Sequence, residues 1–135
     1  MRKQTRRIGC CSSQLRTIRG AIQIASDTPD LIASGTSALI SQLVTRNSLR
    51  HADLISFIFT VTPDLTSELP PLAAQEAGWG RIPMLCAAEL PTQIMIPRVI
   101  RLLAHVNWRK RHGEPLHIFL PGTIAVRPVQ DLSCP

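Results

Sequence analysis

An α/β (α+β) domain, built on a mixed five-stranded sheet with helices on one face, is what this 135-residue sequence predicts. Three observations carry that expectation. Apolar, β-prone runs and helix-like stretches succeed one another as strand, helix, strand, short helix, then three strands. The stretch following Ser26 sets Leu31, Ile32, Leu39, Leu43 and Val44 on one helical stripe, an apolar face that needs a sheet to cover. The run "DLISFIFTV", Asp53 to Val61, is continuously β-prone and suits a central strand with both faces covered.

Each element has its own local signals. "LRTIRGAIQI", Leu15 to Ile24, alternates well enough for a first strand, with Arg19 and Gly20 in its middle. The long helix has Asp27 or Thr28 as its N-cap, Pro29 in its first turn and Asp30 where the helix dipole favours negative charge. After the central strand, Pro70 and Pro71 start a short helix that runs through Gln75, and Gly78 ends it. "RIPMLCA" is the third strand and "PRVIRLLAHVNW" the fourth, separated by a proline-marked connection. "LHIFLPGTIAVRP" is a fifth strand that Pro121 and Gly122 bend or bulge.

Length limits the chain to one domain with a real core. The expected organisation is a basic extension over residues 1–15, a folded body over 16–128 and a flexible tail over 129–135. Apolar content of 44% against 18% charged residues argues against disorder, and no uncharged apolar run reaches the ~18 residues of a membrane span. The formal charge of +6 points toward nucleic acid only until it is located. Arg2, Lys3, Arg6 and Arg7 fall in the acid-free first fifteen residues, which leaves the remainder nearly balanced. The second basic cluster, Arg109 to His112, reads as a solvated loop tip. With no tyrosine and only three phenylalanines there is no aromatic platform for bases, so neither a nucleic-acid nor a membrane partner is expected.

Cys10 and Cys11 lie in the N-terminal extension, Cys134 next to the C-terminus, and only Cys86 in the body; these spacings suggest neither a zinc site nor a disulfide framework. The expected compartment is the cytoplasm, with import of a eukaryotic organellar precursor as the alternative.

Two features point to chemistry. Cys86 and Glu89 stand three residues apart in "RIPMLCAAEL". The pair suits a contact to a substrate hydroxyl, half of a metal site, or a nucleophile with its base; it also suits an inert core thiol followed by a solvated carboxylate. Arg19, Arg101 and Arg127 lie within apolar strand-like runs, where a charge is costly unless paired, and the chain has only nine carboxylates. Structural ion pairs explain any one of them; together they suit a pocket for a compact polyanion, because guanidinium groups bind carboxylates bidentately and stay charged when buried.

These residues carry a family resemblance. "IRGA" at Ile18 to Ala21, "FTVTPDL" at Phe59 to Leu65, "GW" at Gly78 followed by "IPMLCAAEL" to Leu90, "PRVIRLLAHVN" at Pro97 to Asn107 and "AVRP" at Ala125 to Pro128 resemble, in order and spacing, an AroH-class chorismate mutase of the monofunctional Bacillus type. The resemblance spans about Arg16 to Pro128. It implies a homotrimer, a pseudo-barrel with active sites in the clefts between subunits, that converts chorismate to prephenate on the route to phenylalanine and tyrosine with no cofactor and no metal. Arg101 would then stand beside the ether oxygen of the breaking bond, Arg19 and Arg127 would hold the substrate, and Cys86 and Glu89 would contact its ring hydroxyl, as part of the catalytic set. Leu69, Gln75 and Phe119 would be substrate-binding positions.

The chain departs from the family pattern at three places. A segment usually like F-P-A-x-A-A-R is here "LPPLAAQ", Leu69 to Gln75, which removes a cation at Gln75. The tyrosine of "HVYL" is Phe119 in "HIFL", and the usually Gly-containing loop before the fourth strand is "LPTQIMIP". Two alternative functions follow: a catalytically weakened trimeric ligand-binding or regulatory protein on the same fold, and a binder of nucleic acid or anionic surfaces through its basic segments.

Overall fold

The computed structural model describes residues 13–109 and 113–122. Arg127, most of the basic extension, the centre of the second basic cluster and the C-terminal tail lie outside the described residues. Strands β1 (Ser13–Gln23), β2 (Leu54–Val61), β3 (Met84–Ala88), β4 (Val99–Arg109) and β5 (Ile118–Phe119) form a five-stranded sheet of order β3-β2-β4-β1-β5. Strand β4 pairs antiparallel with β1 and β2, while β3 joins β2 and β5 joins β1 in parallel. The sheet is therefore mixed, with helix α1 (Pro29–Arg46) and the short α2 (Pro70–Ala74) in the predicted order.

Helix α1 starts where its cap predicts. Thr28 is the N-cap, its Oγ1 accepting from Leu31 N at 3.2 Å. Asp27 instead gathers the loop after β2. The Ser67 hydroxyl and amide and the Thr66 amide and hydroxyl all donate to its carboxylate, led by Ser67, and hold it below the usual carboxylate range. At the other end the buried Asn47 side chain donates to the carbonyls of Leu43 and Leu116 and accepts from Leu116 N at 2.7 Å, which ties the helix to the approach of β5. Gly35 lets the helix close on the sheet, since a Cβ there would stand 2.8 Å from Ile24 Cγ2.

The core lies between this helix and one face of the sheet. Ile32, Leu39, Ile40 and Leu43 of α1 meet Ile18 of β1, Phe57 and Phe59 of β2, and Ile100, Leu102, Ala104 and Val106 of β4, all buried. On the opposite face Ile58, Thr60, Arg101, Leu103 and His105 are half-exposed, and Leu15 and Leu85 are largely exposed at 65% and 63%. The two covered faces expected for "DLISFIFTV" are thus one covered face within this chain, because both helices pack on the same side. The strand β1 begins at Ser13, two residues before the expected Leu15; among the described residues β5 covers Ile118–Phe119 and a turn follows in which Gly122 takes φ +89°, while residues 123–128 of the expected strand lie outside the described residues.

The start of β4 is pinned by the "TPD" motif. Thr62, fully buried, accepts at its hydroxyl from Val99 N at 3.0 Å and donates to Asp64. The Asp64 carboxylate accepts from Arg98 N at 2.9 Å, and Arg98 takes a left-handed φ of 54° with its Nε donating to Ile24 O. This network sets the position from which β4 runs. Thr62→Val should leave the buried Val99 amide without its side-chain acceptor and cost about 1–3 kcal/mol of stability, measurable by urea unfolding. An unchanged midpoint in the valine variant would show that the motif does not hold the strand.

Candidate active site

Strand alternation places the centre of the candidate site. Thr60 of β2 pairs with Arg101 of β4, Arg101 with Ala21 of β1, and Ala21 with Phe119 of β5, so these four residues form one row across the uncovered face. The neighbouring row holds Ile58, Leu103 and Arg19. A charge on this face keeps access to water, which is why the two arginines are tolerated within apolar runs. Arg19, Gly20, Thr60, Arg101 and Phe119 line a hollow of about 320 Å³ together with Ile58, Leu102 and Leu103. Among the described residues no carboxylate pairs with Arg19.

Glu89 reaches the same place from the end of β3. Its amide bonds Val61 O at 2.8 Å, extending the ladder by one residue past Ala88. Its Oε1 accepts from the Thr60 hydroxyl at 2.7 Å and stands 2.8 Å from Arg101 Nε in an ion pair. The ion pair is closest at Nε, and neither Nη group of Arg101 makes a hydrogen bond among the described residues. A second hollow of about 260 Å³ adjoins this ion pair, lined by Glu89, Leu90, Thr92, Ile94, Met95, Ile96 and Arg101. The "LPTQIMIP" connection therefore forms a wall of the site, with Leu90 and Ile94 largely exposed.

Other expected residues are placed elsewhere. Cys86 pairs with Phe59 and packs, half-buried, against the core, and it lines neither hollow. Burial pushes its thiol pKa up, which works against a thiolate nucleophile. Gln75 lines a separate hollow with His51, Gly78, Gly80 and Arg81, and Leu69 is 52% exposed at the start of α2. Arg127 lies outside the described residues. The sequence reading missed Thr60 and the 90–96 wall: alternation assigns Thr60 to a face, but only the β2–β4 register makes Arg101 its neighbour. Among the described residues no group of three His, Cys, Asp or Glu could hold a metal ion, and no helix is long and apolar enough to cross a membrane.

Fold and hollow together define a mixed-sheet protein with two arginines in a hollow on the face its own helices leave bare. Comparison with known proteins makes this more specific. The family described as "Chorismate mutase type I" matches residues 15–130. A chorismate mutase AroH of Thermus thermophilus is 39% identical over 115 residues, covering 84% of this chain and 94% of the relative. The chorismate mutase AroH of Bacillus subtilis is 28% identical over 120 residues, covering 88% and 93%. A solved chorismate mutase from Clostridium thermocellum superposes with a TM-score of 0.73 at 34% identity, over 78% of this chain and 94% of that one. The chain belongs to the type I chorismate mutase family, the AroH class, and is by that membership an isomerase.

The site also has a titratable support. His117 Nδ1 accepts from Arg19 N at 3.1 Å, and burial, then the Arg19 charge, pull its pKa below the ordinary value of 6.5. A lowered imidazole pKa means the unfolded chain binds the proton first as pH falls. The stability contributed by neutral His117 should be complete above about pH 6.5 and be lost as pH drops through the window beneath that value. Denaturant unfolding of wild type and His117→Gln at pH 7.5 and pH 5 should show the larger acid loss in wild type; equal losses would contradict this account.

Proposed function

We propose that this chain converts chorismate to prephenate in the cytoplasm, as a homotrimer whose active sites lie between subunits. The observation that carries the reading is the convergence of Arg101, Arg19 and Phe119 on one row and its neighbour of a sheet face that the chain does not cover itself, with the Glu89 side chain reaching Arg101 from just past β3. A unimolecular pericyclic rearrangement requires no proton transfer and no covalent intermediate. The protein's means are to hold the compact reactive conformer and to stabilise the charge that separates as the ether bond breaks.

Each residue has a part in that stabilisation. The Nη groups of Arg101, left open by its Nε pairing, donate to the ether oxygen where negative charge develops. Arg19 pairs with a substrate carboxylate, and Arg127 is assigned a second holding role from the sequence. Glu89 accepts from the ring hydroxyl, Phe119 packs against the substrate, and Cys86 backs the edge strand. Even a millionfold acceleration requires roughly 8 kcal/mol, which several charge-assisted hydrogen bonds of about 1.5–3 kcal/mol can supply.

Two placements support the trimer. Leu69 and Gln75 lie away from the hollow of their own chain, and the half-exposed sheet face with Leu15 and Leu85 needs a cover. A second subunit brought against that face supplies both, with its Leu69 and Gln75 entering the neighbouring pocket.

Ultraviolet assay of chorismate loss tests the reaction directly. Arg101→Ala should cut kcat by at least about a hundredfold, or roughly 2.7 kcal/mol, and near-wild-type turnover in the folded variant would rule the assignment out. Mixing Arg101→Ala with Leu69→Asp chains, each inactive alone, should restore activity through the sites that draw intact residues from both; no recovery in a mixed oligomer would place Leu69 outside the site. The departures are expected to weaken capture and spare the chemistry. Gln75→Arg should lower KM by up to about tenfold, Phe119→Tyr by less, with kcat little changed, because a contact present in ground and transition states alike changes binding. An unchanged KM in both single variants and in the double variant would show that these positions do not touch the substrate.

A further inference from the structure

We propose that Thr60 is a positioning residue for the rearrangement: its hydroxyl holds Glu89 so that one carboxylate oxygen is committed to the protein and the other is left for the substrate hydroxyl. The inference rests on the chorismate mutase reading and adds to it a residue that the sequence did not single out.

Donors are distributed unequally over the Glu89 carboxylate. Thr60 Oγ1 donates to Glu89 Oε1 at 2.7 Å, and Arg101 Nε makes its ion-pair contact with the same atom at 2.8 Å. No hydrogen bond from the described residues reaches Oε2, so the carboxylate has one engaged and one open oxygen. Thr60 and Arg101 are directly paired across β2 and β4, which fixes both donors on the rigid centre of the sheet. Glu89 stands one residue beyond the end of β3.

Removing the Thr60 hydroxyl changes what the carboxylate can do. With one donor gone, Glu89 is free to turn and meet Arg101 in the bidentate fork that guanidinium and carboxylate favour, engaging Nε and an Nη together. That arrangement draws an Nη away from the ether oxygen and closes the open carboxylate oxygen. The penalty falls on the transition state, because the ether oxygen gains its charge there. Ground-state capture by Arg19 is left as it was. Thr60 thus acts through Glu89 and Arg101 and need not touch substrate itself.

Steady-state kinetics on chorismate test this with the whole protein. Thr60→Val, matched in volume, should lower kcat about tenfold with KM within about threefold of wild type, and Thr60→Ser should recover most of the loss. In a Glu89→Ala background Thr60→Val should cost no more than about twofold, since the residue through which it acts is gone. Thermal unfolding of the single variants separates this from general destabilisation, for which serine would give no rescue and the two losses would multiply. A wild-type chain without turnover overturns the assigned reaction and this inference with it. An active wild type, with Thr60→Val unimpaired, with losses that multiply, or with serine as poor as valine, overturns the role of Thr60 alone.

Discussion

Strand β4 alternates with period two: Ile100, Leu102, Ala104 and Val106 turn to the core, and Arg101, Leu103 and His105 turn away from it. A slip of one residue would drive Arg101 into the helix-covered core and bring Leu102 out. The burial of one face therefore fixes the chemistry of the other. Because β4 sits between β1 and β2, its register also sets which residues of those strands stand beside Arg101.

The polar network at the start of β4 supports this arrangement. Thr62, Asp64 and Arg98 each satisfy a backbone group near the point where the strand begins, and the left-handed Arg98 is held by two independent contacts. Such groups are needed because the incoming connection is irregular and its amides would otherwise be buried without partners. The same connection, residues 90–96, forms one wall of the second hollow. Fold and pocket share parts here, so the "TPD" motif belongs to the site through geometry and not through contact with a ligand.

Much of the fold was legible in the sequence for identifiable reasons. Thr28 and Pro29 announce the start of α1, Gly78 announces the end of the turn after α2 with φ +100°, and the apolar stripe of α1 names Ile32, Leu39 and Leu43 among its buried residues. The candidate site was legible in part. Arg19, Arg101 and Phe119 share a hollow, and Glu89 completes an ion pair with Arg101. Cys86, three residues from Glu89, packs against the core, because residues in a strand alternate faces and Glu89 lies just past the end of β3. Leu69 and Gln75 stand apart from that hollow.

Local pattern in the chain was enough to settle the order of elements, the buried stripe of the helix and the presence of charges that an apolar strand would not carry without a use. Helix caps, turn residues and periodicity act over short range, and their energetics are settled within a few residues. Three outcomes came only with the assembled fold: both helices cover the same face, Thr60 and Arg101 stand side by side, and one oxygen of Glu89 is engaged while the other is open. Those outcomes depend on register between strands far apart in the chain. Register is set by packing the whole buried face at once, and no local pattern records which residue lies across from which.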